Sequence, residues 1–227
     1  MDPLIVFPII ISIGPVIMAS IINNGRDNRL WFSYIFGMAG WYIALAFRIP
    51  ILMMINFLDK IVRIISASLL AGLFEETTRF FSLKYITKET KNPKAPISLG
   101  LGWGFSEAVL IYVINVLVSS SIYGYSWIEF LPGAFERNTA CIFHTAMAML
   151  LGYSIIRNKT PPPYLSLAII LHGFTNILPY IISFYYTSNI WIIELILFVT
   201  VVIITLPIIL IYKKLFYQNS NLDHKIS

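Results

Sequence analysis

Two adjacent carboxylates and an arginine stand in the middle of a long apolar run, in the stretch Glu75-Glu76-Thr77-Thr78-Arg79. Ionisable groups at the centre of a bilayer cost at least roughly 2.5–3.5 kcal/mol each on insertion scales, so they are rare there without a partner or a task. On a helix, an arginine three or four residues after a carboxylate can pair with it. We therefore expect Arg79 to neutralise one of the two glutamates and to leave the other free as a general base.

Three further apolar runs carry ionisable or amide groups well away from their ends. In chain order these groups are Glu107 in the fourth run, Glu136, Arg137 and His144 in the fifth, and His172 and Asn176 in the sixth. At a rise of about 1.5 Å per helical residue, Glu75, Glu107 and the two histidines fall near the middle of the bilayer, on helices of alternating direction. We therefore expect residues far apart in sequence to meet in one layer.

Carboxylates, histidines and an amide in one buried layer are suited to activating water. A carboxylate shielded from bulk water can accept a proton from water near neutral pH, and a histidine or an amide can stabilise a developing oxyanion. The same layer could instead hold one divalent metal such as zinc, with water at the open coordination position. The candidate metal ligands are His144, His172, Glu75 and Glu107. Because the soluble zinc motif H-E-x-x-H is absent from the sequence, such a site would be assembled from separate helices.

Composition places these groups in a membrane protein. The chain has 227 residues, of which 58% are hydrophobic and 12% are charged, and a soluble domain of this size would carry about twice that charge. Apolar runs of around 20 residues recur from end to end, as is typical of a polytopic helical membrane protein. The single cysteine, Cys141, excludes an intramolecular disulfide and a cysteine-based zinc site.

We predict an all-α fold of about seven transmembrane helices, with a polar cavity formed by the third to sixth. The predicted spans are about 3–22, 31–56, 61–86, 97–119, 132–156, 163–186 and 190–213. They form a single domain over residues 1–217, followed by a polar C-terminal tail over residues 218–227. Arg48, near the end of the second span, is interpreted as a side chain that reaches the outer membrane interface.

Lysine and arginine are concentrated in every second connection between the spans, which is the pattern of the positive-inside rule. This pattern predicts an N-terminus outside the cell and a cytoplasmic C-terminus. It also explains the net charge of +5 by membrane topology, so no nucleic-acid partner is expected.

The polar residues also resemble the motifs of a known superfamily. Glu75-Glu76-x-x-Arg79, followed by a span with His144 and then by His172-Gly-Phe-Thr-Asn176, is similar to the intramembrane peptidase superfamily. That superfamily includes the type II CAAX prenyl endopeptidases, the CPBP proteins, PrsW and the YhfC-like branch. The YhfC-like branch fits best, because two further motifs resemble those of its fourth and fifth spans. These motifs are Gly102-Trp103-Gly104-Phe105-Ser106-Glu107 and the pair Glu136-Arg137 ahead of His144.

The resemblance covers about residues 35–180 and implies an intramembrane endopeptidase in the plasma membrane of a prokaryote. Carried over by position, Glu75 would activate water with the help of His144, and His172 and Asn176 would form the oxyanion hole. The supporting residues would be Glu76, Arg79, Glu107, Glu136 and Arg137. The implied substrate is a membrane-embedded or lipidated peptide. Mechanisms with and without a metal both remain open.

Two other functions remain open as well. Buried glutamate and histidine relays also suit a transporter of protons or of a divalent cation. A transporter built from inverted repeats would show broken spans at matching positions of two halves, whereas here the polar groups cluster in spans three to six. A non-catalytic relative, serving as a membrane binding or immunity protein, would keep the same fold. Because every polar position of the motifs is filled, the sequence favours the enzyme.

Overall fold

Short polar residues mark where the apolar runs begin as helices. The computed structural model describes residues 2–86 and 92–223, and the side chains of residues 2–85 and 92–215, and its regular structure is entirely helical within these ranges. Oδ1 of Asp27 accepts a hydrogen bond from the backbone N–H of Arg29, and Oδ1 of Asp59 does the same for Ile61. Such caps satisfy backbone donors that have no partner within the helix.

The helices follow one another in the order of the predicted spans. They are α1 (Val6–Asn24), α2 (Asn28–Met54), α3 (Lys60–Phe81), α4 (Lys94–Glu107), α5 (Ile114–Tyr123), α6 (Leu131–Ile156), α7 (Pro161–Tyr185) and α8 (Ile190–Asp223). A π-helical segment, Ala108–Val113, joins α4 to α5 without a break, so the described residues form seven long rods. A second π-helical segment, Ser82–Ile86, extends α3. The predicted all-α fold of about seven helices is confirmed.

Six of the seven rods are long and apolar enough to cross a membrane. The exception is α3, which carries Lys60, Arg63 and the three charged residues of the motif that begins at Glu75. One side of α3 nevertheless exposes large apolar residues, among them Leu69 and Leu73. This exposed apolar side suits contact with lipid, because lipid is the solvent that tolerates it.

Two predictions depend on residues near the ends of the chain and in its loops. Lys88, Lys91 and Lys225, which contribute to the predicted orientation, lie outside the described residues, and the orientation stays a prediction. The predicted boundary at residue 217, between the membrane domain and the polar tail, also stays a prediction. Helix α8 continues to Asp223, and the last four residues of the predicted tail lie outside the description.

Helix α4 lies at the centre of the packing, against α2 on one side and α6 on the other, while α3 packs chiefly against α7. The core around it includes the fully enclosed side chains of Trp41, Trp103 and Met147. The contact between α2 and α4 is close because each helix contributes a glycine. A Cβ atom on Gly37 would overlap the carbonyl oxygen of Leu99, and one on Gly102 would overlap that of Tyr34. This close contact brings Trp103 and Glu107 next to the polar residues of α3 and α6.

Gly102→Ala is expected to destabilise the protein by about 1–3 kcal/mol, because the added methyl group forces α2 and α4 apart. The measurement is the free energy of unfolding in mixed detergent. Gly14→Ala is the matched control, since its added carbon would lie 3.7 Å from Cγ2 of Ile10, which is an ordinary contact. Equal stability of the two variants would show that α2 and α4 are not packed at this distance.

Candidate active site

Arg79 connects two of the predicted site residues in the interior of the helix bundle. Arg79 and Glu76 are both completely buried, and Nη1 of the guanidinium donates to Oε1 of Glu76. Nη2 lies 2.9 Å from Nδ1 of His144. The guanidinium carbon also lies 4.3 Å from the ring centre of Trp103, a distance at which the cation is attracted to the ring face. Arg79 therefore pairs with Glu76, as one of the two predicted arrangements requires.

Glu75 is not left free, and this part of the sequence prediction is wrong. Nη1 of Arg48 donates to its Oε1 at 2.9 Å, and the indole Nε1 of Trp103 donates to its Oε2 at 3.0 Å. Arg48 thus lies inside the bundle beside Glu75, rather than at the outer membrane interface as its sequence position indicated. The reason is that α2 packs against α3, which supplies a partner that no spacing within α3 could reveal.

His172 faces both glutamates of the motif. Its Nδ1 lies 2.6 Å from Oε1 of Glu76, and because a carboxylate only accepts, the ring donates from Nδ1. Nε2 lies 3.9 Å from Oε2 of Glu75. His172 is therefore fixed by Glu76 and presents its second nitrogen to Glu75.

His144 is held in one tautomer by its two partners. A guanidinium can only donate, so Nδ1 of His144 accepts from Arg79 and carries no proton. The ring proton then lies on Nε2, which donates to Oε2 of Glu107 at 2.5 Å. Oε1 of Glu107 accepts in turn from Nη1 of Arg137 at 2.8 Å. Arg137 also pairs with Glu136 through Nε at 2.6 Å. Three of the predicted supporting residues, Glu136, Arg137 and Glu107, thus form a chain of hydrogen bonds that leads to His144, and Arg79 continues it to Glu76.

Glu107 is also the last residue of α4, directly before the π-helical segment. A π-helical turn widens a helix by one residue, and such turns are frequent at functional sites. Here the wider turn follows the carboxylate that contacts His144.

A cavity of about 680 Å³ opens beside this network. Six of the predicted site residues reach it, namely Glu107, Glu136, Arg137, His144, His172 and Asn176. Glu75 lies just behind the wall and is only 4% exposed. The cavity extends beyond the third to sixth spans that were predicted to form it, because Arg48 of α2 and Glu194 of α8 also line it.

Three side chains of the site are close enough together to hold a metal ion. Ligand atoms of Glu75, His144 and His172 lie within 4.8 Å of one another. Glu107, the fourth ligand considered from the sequence, is not part of this group.

Three residues at the site were not predicted from the sequence. Arg48 was expected at the membrane interface and instead pairs with Glu75. Trp103, which donates to Glu75, and Glu194, which lines the cavity, were not considered as site residues. For Arg48 and Glu194 the signal was a charge inside an apolar run, which is costly without a partner. Trp103 belongs to the motif that begins at Gly102, but nothing in the sequence indicated that its indole would donate to Glu75.

The comparisons with known proteins agree with the motifs. Residues 47–127 match the model of the YhfC intramembrane metalloprotease family, a stretch that includes Glu75, Glu76, Arg79 and Glu107. His144 and His172 follow this stretch in the sequence and join it only in the folded chain. No curated protein matches the chain. The match confirms, over residues 47–127, the resemblance of this integral membrane protein to the YhfC intramembrane metalloproteases.

Proposed function

We propose that the chain is an intramembrane endopeptidase that cleaves a membrane-embedded or membrane-associated peptide. The observation that carries the proposal is the meeting of Glu75, His144 and His172 beside a cavity of about 680 Å³ that both histidines line. The three come from three different helices of a membrane protein. A buried ion pair that served only to stabilise the bundle would not need the second carboxylate or a cavity lined by two histidines.

Glu75 is the group that we assign to water activation. Its Oε2 and Nε2 of His172 are 3.9 Å apart, a separation short enough for one water to hydrogen-bond with both atoms. Arg48 and Trp103 hold the carboxylate in place. A water that hydrogen-bonds to both atoms from one side would lose its proton to Glu75 while its oxygen attacks the carbonyl carbon of the substrate.

Asn176 is the donor that we assign to the oxyanion. It follows His172 by four residues, so both lie on one face of α7, and both line the cavity. An amide N–H aimed at the position of the developing oxyanion stabilises the transition state more than the substrate. Glu76 supports this arrangement by fixing the ring of His172.

His144 and Glu107 are the groups that we assign to orienting the departing amine. Nε2 of His144 carries a proton at the cavity wall, and Glu107 holds it there. When the carbon–nitrogen bond breaks, the amine nitrogen takes up the proton that Glu75 took from water, while the hydroxyl stays on the carbonyl carbon. His144 keeps its single ring proton throughout. Arg137 and Glu136 orient Glu107 for this step.

A divalent metal ion fits the same group of side chains. It would be held by Glu75, His144 and His172, and when bound it would polarise the substrate carbonyl and favour ionisation of a bound water. The hydrogen bond from Nδ1 of His172 to Glu76 matches the carboxylate support that metal-binding histidines usually have. His144 would have to give up its hydrogen bond from Arg79 to present Nδ1 to the ion, because its other ring nitrogen carries the proton.

Protein purified without a chelator is expected to contain about one divalent ion per chain, and His172→Ala is expected to lose it. Elemental mass spectrometry is the measurement. Glu129→Gln is the control, because its carboxylate is bonded to the backbone of Ser126, away from the group of three ligands, and its loss should leave the ion in place. An ion that persists in both the His144→Ala and His172→Ala variants would contradict this ligand set.

The function itself is tested by reconstituting the full chain in liposomes together with synthetic transmembrane peptides. New peptide termini, identified by mass spectrometry and absent with Glu75→Gln, would support the endopeptidase. Proton or metal flux across the liposome membrane without any cleavage would instead support the transporter.

A further inference from the structure

Glu194 is a buried carboxylate for which the proposed chemistry has no use. It lies near the start of α8, is 7% exposed and forms part of the cavity wall. Its Oε2 is enclosed and accepts no hydrogen bond from the described residues. Buried polar atoms in proteins nearly always have a partner, and the cavity beside Glu194 has room for a water or for a donor group of a bound molecule to supply it.

The cavity wall around Glu194 carries more carboxylates than cationic side chains. The charged groups that act on Glu194 are Glu136 and Arg137 of α6. Arg137 is already shared, since Nε donates to Glu136 and Nη1 donates to Glu107. The carboxylates of Glu107, Glu136 and Glu194 therefore share the single guanidinium of Arg137. Arg48 and Arg63, the other arginines that line the cavity, are bonded to Glu75 and Asn56.

The shape of the wall favours a long cationic side chain over a metal ion. Leu197 and Val201 follow Glu194 by three and seven residues on the same face of α8, and both line the cavity. An aliphatic stem can pack along these residues while its charged end reaches Glu194, as lysine and arginine side chains do at apolar surfaces. Among the described residues Glu194 is not part of a group of three metal donors.

We propose that Glu194, together with Glu136, forms a subsite that binds a lysine or arginine side chain of the peptide substrate. This inference rests on the proposed endopeptidase function. Glu136 precedes His144 by eight residues, about 12 Å along α6. Because an extended peptide advances about 3.3 Å per residue, the basic residue lies three to four positions from the bond that is cleaved.

The subsite is tested by binding, so that the outcome does not depend on cleavage. The full chain carrying Glu75→Gln is placed in nanodiscs and titrated with two fluorescent transmembrane peptides that differ only by lysine or methionine at one position. That position is scanned along the peptide. We expect the lysine peptide to bind at least about tenfold more tightly at the best position. Adding Glu194→Gln should reduce this preference to less than about twofold and leave binding of the methionine peptide unchanged.

Two further variants keep the test decisive. Glu129→Gln, in the short 3₁₀ helix before α6, is the matched control and should retain the full preference. Glu194→Arg should instead favour a peptide with glutamate at the same position.

An equal lysine preference with and without Glu194 would overturn the proposal. So would calcium binding that depends on Glu194 without any peptide preference. If the subsite binds lysine peptides but the wild-type protein cleaves none of them, the proposed function fails while the subsite stands.

Discussion

Glu75→Gln is expected to lower the rate of peptide cleavage by about 10³-fold, because glutamine cannot take up the proton of the attacking water. The change keeps the shape of the side chain and an oxygen that can accept from Arg48 or Trp103. The rate is measured as kcat with a cleaved transmembrane peptide in liposomes. Thermal unfolding of the same samples establishes that the variant is folded.

Glu107→Gln provides the comparison that separates the two carboxylates of the site. The amide oxygen of glutamine can still accept from Nε2 of His144, so we expect a smaller loss of about 10–100-fold, typical of residues that orient a catalytic histidine. Glu129→Gln should leave kcat unchanged. If Glu107→Gln abolishes cleavage while Glu75→Gln cleaves almost normally, the base is Glu107. The assignment of Glu75 would then be wrong.

The helical fold was predictable because its signal is local. Each apolar run is long enough to be recognised as a helix from its own residues, and the two π-helical segments do not change where the runs lie. The meeting of Glu107, His144 and His172 could also be predicted from their common depth in helices of alternating direction.

The partners of Glu75 could not be predicted in the same way. The spacing of Glu75, Glu76 and Arg79 allows two pairings, and the choice depends on which helix packs against which face of α3. The structure resolves this choice through Arg48, which belongs to a different helix and neutralises the carboxylate that spacing alone leaves free. The protonation of His144 likewise follows from Arg79 and Glu107, which lie 65 and 37 residues away in sequence.

The rule that an ionisable residue within a membrane span needs a partner applies to Glu194 as well. The sequence interpretation treated the last span as free of polar groups, although a carboxylate stands near its start. Because any ionisable residue within a span needs a partner, the predicted cavity should have included that span.

Arg79→Met is expected to lower the free energy of unfolding by about 3–5 kcal/mol, because it removes one partner of a buried pair and leaves Glu76 without its guanidinium. Both side chains are completely buried, so water cannot take the place of the missing donor. The measurement is unfolding in mixed detergent at a pH where carboxylates are ionised.

The double variant Glu76→Gln, Arg79→Met shows whether the loss comes from the charge or from packing. Replacing both members removes the uncompensated carboxylate, so the double variant should be more stable than Arg79→Met alone. Arg63→Met, on the same helix, is the control, since that arginine is bonded to Asn56 at an exposed position and its loss should cost less than about 1 kcal/mol. If Arg79→Met is as mild as Arg63→Met, the guanidinium is not enclosed beside Glu76. His144 would then lose the donor that fixes its tautomer, and the assignment of Nε2 as the proton carrier would fail with it.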